Sequence, residues 1–232
     1  MKRKDNYLSL DLNQPTLFDF SEISSESLEL FPAVWSALED LAAPQTERRF
    51  AAVERLVDLD APRLSPLVAY MLATRLADPD LGVRKGVIKA LGKIFSPDQK
   101  GLAVSTGVNS HVSSYLAQMR TRPIFALLEA VDDSLELTAD VARLLNACPY
   151  SGNHLADILA DRKKPLNIRK QAAVFIGLVG FLDALPTLER MEVRLVSRLS
   201  GQQPMPFAPQ EINTETELLP LIQEAVRVLK SA

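Results

Sequence analysis

The segment Leu64–Phe95, LSPLVAYMLATRLADPDLGVRKGVIKALGKIF, constrains the fold more than any other part of the chain. It reads as two amphipathic helices joined by a tight Asp-Pro-Asp turn. In the second helix Val83, Val87, Ile88, Leu91, Ile94 and Phe95 fall on one face at helical spacing, and Lys85, Lys89 and Lys93 fall on the opposite face. At the turn, Asp78 or Asp80 can accept hydrogen bonds from free amides at the helix start, and Pro79 suits a position that needs no amide donor. A helix of this length is marginal alone in water, so its apolar stripe requires a neighbour to cover it.

Two further copies of the pattern lie along the chain. A shift of 85 residues lays Val83, Arg84, Lys85, Leu91, Gly92 and Ile94 on Ile168, Arg169, Lys170, Ile176, Gly177 and Val179. A shift of 35 in the other direction lays Arg84, Val87, Ile88, Leu91 and Ile94 on Arg49, Ala52, Val53, Leu56 and Leu59, and Pro79 on Pro44. Spacings of about 35 to 45 residues, with the longer shift taken as two units, are those of stacked helical repeats. With Asp78-Pro79, then Val83-Arg84, then Ala90-Leu91-Gly92, the segment resembles the HEAT-repeat (armadillo-like) family, and the resemblance extends to 28–60 and 154–198. It implies a ladder in which a turn Asp and the Arg six residues on pair between neighbouring repeats, which assigns those roles to Asp78 and Arg84. Ala43 and Lys163 stand where the other copies would carry the Asp.

A length of 232 residues fits one solenoid or one large domain, and 47% apolar residues suffice for a continuous core. Ala and Leu dominate and alternating β-branched residues are scarce, which favours an all-helical chain. No apolar run reaches the roughly 18 residues of a membrane span. Lys2, Arg3 and Lys4 are followed by Asp5 and Asn6 and by no apolar block, so no secretion signal is expected. One cysteine, Cys148, excludes an internal disulfide and fits a reducing, cytoplasmic setting. The net charge of −3 is carried by residues 1–30, leaving the rest neutral, whereas 161–198 holds eight basic and four acidic residues. A body built to grip nucleic acid along a long path is usually basic throughout.

Residues 1–27 show no helical period and read as a disordered acidic tail, and 28–232 as the repeat domain. Helices are expected near 28–41, 48–59, 63–77, 82–95, 109–119, 123–131, 134–147, 153–161, 166–180, 184–199 and 217–230, with long loops at 96–108 and 200–216. Gly86 and Gly177 inside helices point to close helix approach. Pro204, Pro206 and Pro209 with Met205 and Phe207 suggest that 200–216 is an ordered strap.

No catalytic, cofactor or metal pattern stands out. Cys148 and His154 straddle a turn with no orienting third group, and read as a packed thiol and a helix-start residue. His111 reads as a cap-region residue, and two histidines with one cysteine make no zinc pattern. Trp35 lies in FPAVWSALEDL and is expected in the core. Arg162, Lys164, Arg169 and Lys170 cluster around a repeat turn, and Arg190, Arg194 and Arg198 form a helical stripe. Either they are a solvated face or they dock an acidic partner through guanidinium forks.

The expected fold is therefore all-α, a right-handed solenoid of about five HEAT-like helix pairs. The expected function is a non-catalytic scaffold or adaptor that binds a protein partner, with no cofactor and no membrane contact. The alternative is a nucleic-acid-associated protein, a DNA binder or a HEAT-like DNA glycosylase. In the tail, Gln14, Leu17 and Phe18 resemble the short motif with which bacterial DNA-processing proteins dock on the replication sliding clamp. The same apolar island can instead cap the first repeat.

Overall fold

The computed structural model describes residues 25–97, 101, 103–201 and 214–231. The chain among these residues is all-helical, with no strand. In order, the helices are α1 (Ser25–Asp40), α2 (Thr46–Asp58), α3 (Ala61–Leu64), α4 (Pro66–Ala73), α5 (Leu81–Ile94) and α6 (Thr106–Leu116), then α7 (Thr121–Asp133), α8 (Thr138–Asn146), α9 (Ser151–Ala160), α10 (Leu166–Val179), α11 (Leu185–Gly201) and α12 (Leu219–Ser231). Single 3-10 turns at Leu135–Leu137, Leu182–Ala184 and Thr214–Leu218 precede α8, α11 and α12.

Successive helices pack as neighbours, α1 on α2, α4 on α5, α7 on α8, α9 on α10 and α11 on α12. A second set of contacts links the later member of each pair. α2 packs on α5, α5 on both α7 and α8, both of these on α10, and α10 on α12. The extra helix α6 lies against α4. One contiguous apolar core results, running from Ala37 and Leu41 through Leu72, Ile88 and Leu127 to Phe175 and Leu229. Each large side chain in it contributes roughly 1.5–3 kcal/mol of burial.

The stripe of α5 is buried as its spacing requires, with Val83, Val87, Ile88, Leu91 and Ile94 all inside. Asp80 is the residue that caps this helix, accepting from the Val83 amide at 2.9 Å. Gly86 and Gly177 mark close approaches: an added Cβ would lie 3.0 Å from Val53 Cγ1 and 3.1 Å from Ala225 Cα respectively. The helix expected over 63–77 is broken at Ser65, which is extended at φ −121° and ψ 119°. Pro66 forces the residue before it out of the helical region, and the Ser65 hydroxyl then caps α4 by accepting from Val68 at 3.3 Å. α6 begins at Thr106 and α11 extends to Gly201, each reaching into a stretch expected as a loop. Trp35 is 40% exposed rather than in the core. The buried stripe of α1 holds Ala37 and Leu38 and continues to Leu41 just past its end, with Val34 packed against it, and Trp35 is one position off that stripe.

Candidate functional site

Arg49, Arg84 and Arg169 each occupy the fourth position of a helix, in α2, α5 and α10. Each ties a carbonyl on the chain before its helix to a carboxylate well beyond it. Arg49 Nη1 donates to the carbonyls of Ala43 and Pro44 at 3.1 and 3.0 Å. Its Nε and Nη2 donate to the two oxygens of Asp78, both at 2.9 Å. Arg84 Nη1 donates to the Asp78 carbonyl at 2.8 Å and Nη2 to Glu129 at 3.4 Å. Arg169 Nε donates to the Leu159 carbonyl at 2.9 Å, and both Nη atoms to Glu215 Oε1 at 3.3 Å.

Asp78 and Arg84 therefore meet through the Asp78 main-chain carbonyl, while the Asp78 carboxylate serves Arg49. The hydrogen bonds that Arg49 donates to the Asp78 carboxylate raise the Arg49 pKa above its usual value. The adjoining lysines follow the same course, Lys85 pairing with Asp133, Lys89 with Glu136 at 3.5 Å, and Lys170 with Glu217. Glu129 and Glu215 went unnoticed in the sequence, where nothing local sets them apart from other acidic side chains.

The basic residues of 161–198 divide into two groups. Arg162 Nε lies 3.1 Å from Glu215 Oε1, and Arg198 Nη1 donates to Oε2 at 2.7 Å. With Arg169 this places three guanidinium groups on one carboxylate. Arg194 is a fourth. Burial, and then the nearby charges of Arg162, Arg198 and Arg169, lower its pKa, with Glu215 acting the other way. Lys164 and Arg190 are not on this carboxylate. Lys164 Nζ lies 5.0 Å from the centroid of the Phe125 ring. Arg190 bonds along its own helix, to the Pro186 carbonyl and the Thr187 hydroxyl at 3.2 Å each.

Elsewhere the geometry is structural. Cys148 is fully buried, and His154 Nδ1 is 3.2 Å from the Thr121 hydroxyl across the helix boundary. His111 Nδ1 meets the Gly107 carbonyl at 2.7 Å, one turn back on α6. A Cβ on Gly92 would lie 2.3–2.6 Å from the Asp140 side chain, which explains the glycine where α5 meets α8. Burial raises the Asp140 carboxyl pKa, and the Arg143 ion pair at 2.7 Å opposes this. A cavity of about 30 Å³ lined by Val57, Asp60, Pro62, Arg63, Ala90 and Lys93 has room for about one water. Among the described residues no His, Cys, Asp or Glu group could hold a metal ion, and no helix is long and apolar enough to cross a membrane. Gln14, Leu17 and Phe18, and the stretch from Met205 to Pro209, lie outside the described residues.

Comparison with protein-family models, with curated proteins and with solved structures gives no match. The functional reading therefore rests on the chain's own geometry.

Proposed function

We propose that the chain is a right-handed α-solenoid of about five HEAT-like helix pairs, acting in the cytoplasm as a non-catalytic scaffold for a protein partner with an acidic surface. The row α2, α5, α7 with α8, α10 and α12 supports the architecture, since the later helix of each pair packs on that of the next. A row of this kind offers a long rigid face to a partner.

The observation that carries the functional reading is the convergence of Arg162, Arg169 and Arg198 on Glu215, with Arg194 beside them. Arg49, Arg84, Lys85 and Lys89 earlier in the row are each matched with an acid of their own, whereas here three arginines share one. Surface charge of one sign steers encounter and selects a partner of the other sign.

The test is affinity purification with the intact chain and with Arg162→Glu combined with Arg194→Glu, and identification of the recovered proteins by mass spectrometry. A protein captured by the intact chain and lost with the double variant is the expected result. Recovery of the same proteins by both forms would remove the basic end as the docking face. Duplex DNA that binds at about 100 mM salt, with affinity falling steeply as salt rises, would replace this reading with the nucleic-acid-associated one.

A further inference from the structure

Glu215 has little capacity left to accept hydrogen bonds. A carboxylate offers about four lone-pair sites. Its Oε1 already faces Arg162 Nε and both Nη atoms of Arg169, and its Oε2 takes Arg198 Nη1. Arg194 receives no carboxylate among the described residues. The Nη atoms of Arg162, the Nε and Nη2 of Arg198 and all five N–H groups of Arg194 have no bonded partner among the described residues either. Among the described residues, three guanidinium charges on one carboxylate and a fourth beside them leave an excess of three.

Accessibility sorts the four. Arg169 is buried and fixed to the Leu159 carbonyl, so it anchors Glu215 from below. Arg162 and Arg194 are exposed and Arg198 is partly exposed, so all three are open to solvent. Like charges gathered in this way repel one another, and the fold tolerates it although no internal contact of Arg194 requires it. Perturbed charges at an accessible cluster are a mark of binding sites.

The chain also carries its own example of what such a cluster accepts. Glu215-Thr216-Glu217 puts one carboxylate on the arginines and the next acidic side chain on Lys170. We propose that Arg162, Arg194 and Arg198, gathered by Glu215, form a binding site for the carboxylates of an acidic peptide segment on a protein partner. The partner's carboxylates join Glu215 and do not displace it, because removing Glu215 would leave Arg169 buried without a counter-charge. Guanidinium forks suit this ligand through paired N–H donors that match a carboxylate edge.

This inference rests on the scaffold reading and sharpens it to one site and one ligand class. It is tested on the purified full chain, by fluorescence anisotropy with labelled oligoglutamate. Oligoglutamine of the same length and oligothymidylate of the same charge serve as comparisons. Oligoglutamate should bind, oligoglutamine should not, and added salt should weaken the complex. Arg194→Gln should weaken oligoglutamate about tenfold, the loss of a charge-assisted contact, without lowering the melting temperature. Glu215→Gln, measured where it remains folded, should also weaken binding because the guanidinium groups disperse. Unchanged affinity in Arg194→Gln would overturn the site. So would tighter binding in Glu215→Gln, which would mark Glu215 as a competitor. Oligothymidylate bound as tightly as oligoglutamate would overturn the ligand class. A null peptide titration beside a successful affinity purification strikes the site alone, whereas a purification that yields no partner strikes the scaffold reading.

Discussion

Arg49 and Arg169 occupy the same position in α2 and α10 and are both buried, yet their electrical circumstances are opposite. Arg49 has a carboxylate to itself, with side chains 9% and 1% exposed across the pair. The Asp78 carboxylate also accepts the Asp80 amide at 2.9 Å, so the turn, the guanidinium and the acid close on one another. Nothing remains there to offer a partner. Arg169 shares its acid with Arg162 and Arg198, whose side chains are 48% and 38% exposed. One helical position thus serves in one place as a closed internal tie and in the other as the base of an open charge cluster. What separates them is how many arginines each carboxylate must serve.

The largest effect that tests this contrast is expected at the closed pair. Asp78→Ala leaves Arg49 buried without its counter-charge and should cost about 3–5 kcal/mol in urea unfolding. Glu215→Gln should cost less, about 1–3 kcal/mol, because an amide oxygen can still accept one bond and Arg169 keeps the Leu159 carbonyl. If Glu215→Gln proves as costly as Asp78→Ala, the open cluster is a structural tie like the other, and the contrast fails. The intermediate tie gives a third point on the scale. Glu129 meets Arg84 at 3.4 Å with its side chain 42% exposed. Glu129→Gln should therefore change stability by less than about 1 kcal/mol, and a greater loss would show that the α5–α7 contact depends on this pair.

The sequence carried one half of these ties and hid the other. Apolar spacing is local, so sliding Val83, Leu91 and Ile94 along the chain was enough to align Arg84 with Arg49 and Arg169. The acids that receive them lie 29, 45 and 46 residues beyond, in a turn, on a helix face and in a 3-10 turn. No local pattern spans those distances. For the same reason the charge surplus counted over 161–198 omitted Glu215 and Glu217, which lie past the end of α11 and return to the cluster. The break at Ser65 was open to reading from Pro66, but the apolar stripe runs through it and masks it. Trp35 shows the finest grain of the limit, since one position along a helix turns a side chain by about 100° and so from core to flank.

The smallest expected effect belongs to Arg194, and its sign is what matters. Its pKa is lowered, foremost by burial and then by the neighbouring guanidinium groups, so the fold disfavours its charged form. A basic group with a lowered folded pKa takes stability away wherever it is protonated, which for arginine is the whole accessible pH range. Removing the charge should therefore do no harm. Arg194→Gln should leave the melting temperature unchanged or slightly raised, by about 0.5 kcal/mol or less, because solvent screens an exposed group. Repulsion among exposed charges is screened by salt over a Debye length of about 10 Å at 0.1 M, so any gain should shrink as salt is added. A melting temperature that falls in Arg194→Gln, at any salt concentration, would mean that the fourth arginine is held by an attraction and that the cluster is as closed as the Arg49 pair.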